Sequence, residues 1–252
     1  MLDVGLAERI RRKGVEAVEI AGWTTRSAGS YAPLGSVNHH TAGGANGTVP
    51  SLATCIYGRS DLDGPLCNVL QSRETNGTDK AYVIAAGRAN HAGQGGWRGL
   101  SGNGSVGGLE VEHVGTGPVD ALRLEVSARI QAALLEAPGS SRSAANCCQH
   151  SEWTPRKVDF FDLRPWTVAT FRQRVAYWIG RSAEVEIELE DDQMVIIRNK
   201  TNKQALVAYG GQLMSLTGET NVQEAEKAQI PVWWIDQTTW ARFIKSYGPV
   251  LA

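Results

Sequence analysis

Apolar and polar residues follow two different periods along the first two thirds of the chain, and these periods predict strands alternating with helices. Short apolar or alternating runs predict four strands, at residues 15–20, 34–39, 81–86 and 108–114. Apolar residues spaced three and four apart predict helices, at residues 3–13, 51–58, 120–137 and from Pro165 onward. The glycine-rich segments 42–50 and 93–108 predict loops. This order of elements favours an α/β fold, in which a sheet is layered with helices.

The pattern changes after residue 183, which predicts two domains, at residues 1–183 and 190–252. Between them lies an acidic run over 184–192, half of which alternates like a strand while the other half is typical of a linker. Later runs predict short strands at 194–198, 205–209, 212–216 and 232–235, and helices at 222–228 and 237–247. We therefore expect a small α+β domain at the C-terminal end.

Charge and composition exclude some classes of partner. The formal net charge is −1, which predicts neither nucleic acid nor an anionic membrane as a binding partner. Residues 1–183 carry 19 Lys and Arg against 16 Asp and Glu, whereas 184–252 carry 6 against 10. All five histidines lie in the first domain, so we expect metal chemistry there. The N-terminal residues contain an early acid and no long apolar run, so we expect no signal peptide and no membrane-spanning segment.

The four cysteines follow no CxxC spacing, at Cys55, Cys67, Cys147 and Cys148. This spacing favours reduced, buried thiols over a disulfide framework. The adjacent pair Cys147 and Cys148 leaves a second interpretation open, in which a thiolate binds a metal ion.

Histidines and an acid in two distant stretches are the first candidates for chemistry. His39 and His40 end a predicted strand beside a glycine-rich loop, and His150 and Asp159 lie far downstream. Two histidines and a carboxylate, with the fourth position open to water, are the composition of a catalytic zinc site. The alternative is one packed and one surface histidine, because adjacent strand residues point to opposite faces. The spacing of His150 and Asp159 matches no helical metal motif, so spacing alone decides nothing.

Glu110 and Lys157 are candidates for proton transfer and charge stabilisation. Glu110 lies inside an otherwise apolar strand, where an unpaired carboxylate is costly to bury. Either it faces a reacting water molecule or it faces solvent at a sheet edge. Glu112 has the same alternation and is expected on the same face, as a second choice. Lys157 precedes Asp159 by two residues and would place a cation near a developing oxyanion, unless it is an ordinary solvated lysine.

Four ordered blocks of sequence carry a resemblance to a known family. They are residues 39–43 (HHTAG), 82–93 (YVIAAGRANHAG), 108–113 (GLEVEH) and 150–159, which ends in Lys-Val-Asp. Together they resemble the zinc-dependent N-acetylmuramoyl-L-alanine amidases related to bacteriophage lysozyme-amidases and the peptidoglycan recognition proteins. The resemblance covers about residues 15–181. It implies a mixed central sheet flanked by helices on both faces, with a zinc groove above it.

The resemblance implies a zinc cofactor and a set of ligands. His39 matches the family's first ligand and is therefore preferred to His40. His150 matches the second histidine, and Asp159 matches the third ligand, which is Cys or Asp in relatives.

The same resemblance implies roles for three other residues. Glu110 matches the general base and Lys157 matches the catalytic lysine. His91 matches a histidine that lines the substrate cleft, and we expect His40 and Asn90 to contact substrate beside it.

The function that the resemblance implies is that of a phage endolysin. Such an enzyme hydrolyses the amide between N-acetylmuramic acid and L-alanine in bacterial peptidoglycan, using zinc-activated water. It would be made in the host cytoplasm and would reach the cell wall after a holin permeabilises the membrane. Two alternatives remain: a non-catalytic peptidoglycan-binding module, and a zinc amidohydrolase acting on soluble muropeptides.

The C-terminal domain lies outside the resemblance, and we expect it to bind the host cell wall. It carries three tryptophans within eight residues, Trp233, Trp234 and Trp240. One interpretation is that they fill the core of a small domain. The other is that one of them is exposed and stacks on a sugar ring.

Overall fold

The chain divides into two compact units, residues 1–182 and 183–252, and each is described by itself. The structure is a computed structural model that describes residues 1–74, 78–159 and 162–182. In the second unit it describes the backbone of four strands. Among the described residues, no helix is both long and apolar enough to cross a bilayer.

The first unit contains five α-helices and ten strands among its described residues. The helices are α1 (Leu6–Arg12), α2 (Leu52–Tyr57), α3 (Ala121–Leu135), α4 (His150–Trp153) and α5 (Val168–Trp178). The strands are β1 (Ala17–Glu19), β2 (Gly35–His40), β3 (Gly58–Arg59), β4 (Leu62–Asp63), β5 (Val69–Gln71), β6 (Ala81–Val83), β7 (Gly96–Trp97), β8 (Leu100–Ser101), β9 (Val106–Val111) and β10 (Cys147–Gln149).

Six strands form the central sheet, in the order β1-β6-β5-β9-β2-β10. The pair β5–β6 is antiparallel, whereas the other four pairs are parallel. The sheet is therefore mixed, and the predicted fold class is confirmed. Strands β2 and β9 lie side by side near the middle of the sheet, so residues from distant parts of the chain meet where they end.

Alternation along the strands separates two faces of the sheet, and one of them carries the candidate site. On the first face, Asn38 accepts a hydrogen bond from Gln131 of α3, 3.3 Å away. Gln71 of β5 likewise donates to the backbone oxygen of Arg123 in α3, at 2.9 Å. On the opposite face, Leu70 of β5 packs in an apolar cluster that α2 covers. Helices therefore cover both faces.

Helix α3 is the central helix of the unit, because it packs against the sheet and also against α1 and α5. Its N-cap is Asp120, whose carboxylate accepts from the backbone of Leu122 at 2.8 Å. Lys13, which follows α1 and is 1% exposed, donates to the backbone oxygens of Trp178 and Arg181, 2.8 and 2.9 Å away. Trp178 is the last residue of α5 and Arg181 follows it. Lys13 therefore holds the C-terminal end of the first unit through hydrogen bonds.

Two sequence expectations need correction in this unit. Segment 93–108 is not a single loop, because it contains the hairpin β7–β8, a 3₁₀ turn and the start of β9. Trp97 and Leu100 of the hairpin pack against a buried cluster, which gives this glycine-rich segment an anchor. Strands β5 and β10, three residues each, were not predicted. Both end in a buried glutamine, Gln71 and Gln149, so neither shows a full alternating pattern.

The second unit contains a four-stranded sheet. The strands are β11 (Val195–Asn199), β12 (Ala205–Tyr209), β13 (Gln212–Leu216) and β14 (Val232–Ile235), in the order β13-β12-β11-β14. Strands β11 and β14 are parallel, and the other pairs are antiparallel. These strands match the predicted ones to within a residue. The predicted helices at 222–228 and 237–247, and the acidic run 184–192, lie outside the described residues.

Asn68, directly before β5, connects the segment that follows β6 with strand β9 through its side chain. Its amide nitrogen donates to the backbone oxygens of Ala85 and Gly87, at 2.9 and 2.8 Å. Its amide oxygen accepts from the backbone of Gly108, at 2.9 Å. The residue is fully buried, so no water can replace these partners.

We expect Asn68→Ala to lower the free energy of unfolding of this unit by roughly 2–5 kcal/mol, because it leaves buried backbone groups unsatisfied. Urea unfolding followed by amide hydrogen exchange in β5 and β9 measures the change in this unit alone. Asn46→Ala, at an exposed loop position, is the matched control and should change the value by less than about 0.5 kcal/mol. Equal effects of the two substitutions would contradict the role of Asn68.

Candidate active site

A groove of about 710 Å³ lies over the ends of β2 and β9. Residues 90–94, the hairpin β3–β4 and residues 154–159 form the rest of its walls. Eight of the residues that the sequence singled out for metal binding, catalysis or substrate contact line this groove: His39, His40, Asn90, His91, Glu110, His150, Lys157 and Asp159.

Two parallel strands deliver the two predicted histidine ligands side by side. Strands β2 and β10 are neighbours, with Asn38 opposite Gln149. The residues that follow this pair, His39 and His150, therefore lie side by side. Strand β10 ends at Gln149 because α4 begins at His150, and the backbone of Gln149 donates to the carboxylate of Glu152 at 2.9 Å. That bond resembles half of a capping box and fixes where His150 leaves the strand.

Asp159 reaches the same point because the chain folds back after α4. The backbone nitrogen of Ser151 donates to the backbone oxygen of Asp159. The carboxylate oxygen Oδ2 of Asp159 then lies 2.9 Å from His150 Nδ1 and 3.3 Å from His39 Nδ1. The two Nδ1 atoms are 2.9 Å apart. Among the described residues, these three form a group whose donor atoms can bind a common metal ion.

The chemistry of this donor set fits zinc. Ligands about 2.0–2.2 Å from a tetrahedral zinc ion stand roughly 3.3–3.5 Å apart, close to the separations seen between the three atoms. Nε2 of His150 is 3.2 Å from the backbone oxygen of Ala92, which can only accept. That nitrogen therefore carries the proton, and the lone pair of Nδ1 faces Asp159. Three electron-rich atoms at this distance call for a cation between them.

Burial favours the neutral imidazole that metal binding requires. Burial lowers the pKa of His39 to about 4, although the adjacent carboxylate of Asp159 opposes this shift. The alternative thiolate ligands are not in the group. Burial raises the pKa of Cys147 to about 12, and all four cysteines are free and buried, as expected.

Glu110 lies opposite His39 in the pairing of β9 with β2. Its Oε2 atom is buried and has no hydrogen-bond partner within the described part of the chain. Burial raises the pKa of this carboxyl group well above its usual value, and the negative charge of Asp159 raises it further. The positive charges of Lys157 and Arg59 oppose the shift. Upward pKa shifts of this kind, caused by burial and a neighbouring negative charge, are typical of carboxyl groups at functional sites.

Glu112, the second choice for the general base, is not among the residues that line the groove. It follows Val111, the last residue of strand β9. The Glu112 carboxylate instead accepts from the backbone nitrogen of Ser51 at 2.6 Å and from the hydroxyl of Thr41 at 3.0 Å. It closes the loop between β2 and α2, which is a structural role.

The remaining predicted residues lie on the groove walls. Lys157 is exposed there. The ring centroid of His40 is 5.7 Å from that of His113. The side-chain amide of Asn90 donates to the backbone oxygen of Asp63 at 3.1 Å.

His91 lies behind His39 as well as beside the groove. Its Nδ1 atom is 3.0 Å from His39 Nε2. The sequence did not indicate Asn103, whose side-chain oxygen accepts from the backbone nitrogens of His91 and Ala92 at 3.2 and 2.7 Å. Its position between two glycines could have indicated this role, because asparagine side chains in such turns often form hydrogen bonds with nearby backbone groups.

The chain is similar to several solved structures, each at low sequence identity. No family model matches the chain, and no curated protein matches it. A selenomethionine derivative of AmpD is 20% identical over 64% of this chain and 94% of its own, with a TM-score of 0.44. AmpDH3 from Pseudomonas aeruginosa, in complex with anhydromuramic pentapeptide, is 17% identical over 68% of each chain, with a TM-score of 0.45. The N-acetylmuramyl-L-alanine amidase AmiD from E. coli, in complex with the substrate anhydro-N-acetylmuramic acid-L-Ala-D-gamma-Glu-L-Lys, is 22% identical over 71% of this chain and 74% of its own, with a TM-score of 0.41.

We expect the protein to bind one zinc ion per chain, and His150→Ala and Asp159→Ala each to abolish this binding, because two ligands hold the ion much less tightly than three. Metal content after dialysis, measured by mass spectrometry, checks this. His40→Gln is the matched control and should keep the zinc. Retention of zinc in Asp159→Ala together with its loss in a Cys147→Ser variant would contradict the assignment.

Proposed function

We propose that the protein is a zinc-dependent amidase that cleaves the bond between N-acetylmuramic acid and L-alanine. The observation that carries the proposal is the meeting of His39, His150 and Asp159 in one groove with Glu110. Zinc held by three protein ligands supplies a Lewis acid and lowers the pKa of a bound water molecule. The resemblance of these positions to the amidase family supplies the substrate class.

Glu110 is suited to transfer the proton in this reaction. A general base works best when its pKa lies near the working pH, and burial moves the pKa of Glu110 in that direction. Its buried Oε2 has no partner among the described residues, so a proton can be accepted there. The carboxyl group would take a proton from the attacking water and give it to the leaving amine of L-alanine.

Lys157 is suited to stabilise the negative charge that develops on the carbonyl oxygen. It lines the groove two residues before Asp159. Its positive charge lowers the pKa of both His39 and Glu110. A cation aimed at a developing oxyanion lowers the barrier to amide hydrolysis.

The finer part of the proposal is that the enzyme is a phage endolysin acting on intact peptidoglycan. On this proposal the chain is made in the host cytoplasm, depends on a holin for release and then acts at the cell wall. The presence of a second unit favours an insoluble substrate. If this unit binds the wall, it raises the effective concentration of the enzyme at that surface. An amidase of soluble muropeptides would have the same catalytic residues, and substrate comparison separates the two.

We expect Glu110→Gln to keep its zinc and to lose about 10²–10⁴-fold in turnover, because proton transfer contributes that much to such reactions. Turnover is measured as free amino groups released from purified cell walls, with reducing sugars assayed in parallel. An amidase releases amino termini and no reducing ends. Near wild-type activity of Glu110→Gln would exclude Glu110 as the base.

We expect Lys157→Met to lower turnover by about 10²–10³-fold without loss of zinc, because it removes an oxyanion donor. Lys80→Met is the matched control, since Lys80 is a surface residue paired with Glu16, 3.0 Å away. The control should have wild-type turnover. An equally small effect of both substitutions would leave Lys157 without a catalytic role.

We expect a chain that ends after Ser182 to cleave soluble muropeptides as the full chain does and to bind intact walls more weakly. The cut keeps Trp178 and Arg181, whose carbonyls bond to Lys13, so the first unit keeps its own contacts. Wall binding is measured by co-sedimentation, and cleavage by release of amino termini. Equal binding and lysis of intact walls by both chains would show that the second unit has another function.

A further inference from the structure

His91 lines the groove, as the resemblance implies, and its ring also contacts a candidate zinc ligand. The resemblance places it in the substrate cleft, yet its ring packs edge-on against His39, with centroids 5.1 Å apart and ring planes at 83°. This geometry directs a ring nitrogen of His91 at the rear nitrogen of a candidate zinc ligand.

The proton positions along this contact follow from a backbone carbonyl. His91 Nε2 is 3.2 Å from the backbone oxygen of Val106, which can only accept, so Nε2 carries the proton. The Nδ1 atom of His91 is then an acceptor, and it lies 3.0 Å from His39 Nε2. His39 therefore donates from Nε2, and its Nδ1 keeps a free lone pair. That lone pair faces His150 and Asp159.

We propose that His91 is a positioning residue, which selects the tautomer of His39 and orients its Nδ1 lone pair toward the metal. The inference rests on the zinc site of the proposed function. Partners of this kind around a metal-binding histidine raise ligand basicity, and their loss typically weakens metal binding about 10–100-fold. His91 then contributes to metal affinity and not primarily to substrate contact.

The surroundings of His91 are built to hold its ring in this place. Gly108 lies directly beside the ring on β9, and a Cβ atom there would come within 2.6 Å of His91 Cγ. Only glycine leaves room for the imidazole against the strand. On the other side, the Asn103 side chain accepts from the backbone of His91 and Ala92 and fixes the segment that carries the ring.

The two candidate histidine ligands are held by consecutive residues of one segment. His39 donates to the side chain of His91, whereas His150 donates to the backbone oxygen of Ala92. Only the first of these partners is a side chain, so only that contact can be removed by substitution. This makes His91 the position at which the inference can be tested directly.

The test compares His91→Leu with His91→Asn in the full chain. Leucine removes the acceptor, whereas the side-chain oxygen of asparagine lies at the same number of bonds from the backbone as His Nδ1. We expect zinc affinity, measured by competition with a chromogenic chelator, to fall about 10–100-fold in His91→Leu. His91→Asn should restore most of that loss. Equal weakening in both variants, or none in either, would overturn the proposal.

A second measurement stays decisive if a variant fails to fold. Long-range ¹H–¹⁵N spectra of the wild-type chain report the tautomer of each imidazole, and we expect the proton of His91 on Nε2. A proton on Nδ1 would overturn the proposal whether or not zinc is present. Failure of the wild-type chain to bind zinc would instead contradict the proposed function, so the two failures are distinguishable.

Discussion

The site depends on one electrostatic constraint, which is that three electron-rich atoms face each other within 3.3 Å. Two of them are imidazole nitrogens, and the third is a carboxylate oxygen. Such an arrangement is unfavourable unless a cation lies between the atoms. The fold imposes it through the parallel pairing of β2 with β10, which places His39 and His150 side by side. The loop that returns to Ser151 then adds Asp159.

Two acids of one strand region show how surroundings decide chemistry. Glu112 is held by a hydroxyl and a backbone nitrogen, so its carboxylate is fully used in closing a loop. Glu110 is buried beside the metal-binding group with an oxygen that no described residue satisfies. Its raised pKa follows from that burial. The same residue type is therefore structural at one position and a candidate for proton transfer two residues earlier.

Much of this could be predicted from sequence, because strong alternation and helical spacing identify long elements. The helix containing Leu124 and Ile130, and the strand ending in the two histidines, are examples. The metal-binding group needed a family resemblance, since its members lie far apart in the chain. Sequence alone could not separate Glu110 from Glu112, because the partners of the Glu112 carboxylate, Thr41 and Ser51, lie far away in the chain. The second role of His91 could not be predicted, because it depends on which backbone carbonyls its neighbours reach.

The two candidate histidine ligands bond to residues 91 and 92. Metal binding and the local order of this segment are therefore coupled. A metal ion that binds only the ordered state of a segment stabilises that state by mass action. An ion bound at Nδ1 of His39 and His150 would favour the tautomers that carry the proton on Nε2. In these tautomers Nε2 donates a hydrogen bond to His91 and Ala92 respectively. Binding of an ion would thus also stabilise residues 90–94, which form part of the groove wall.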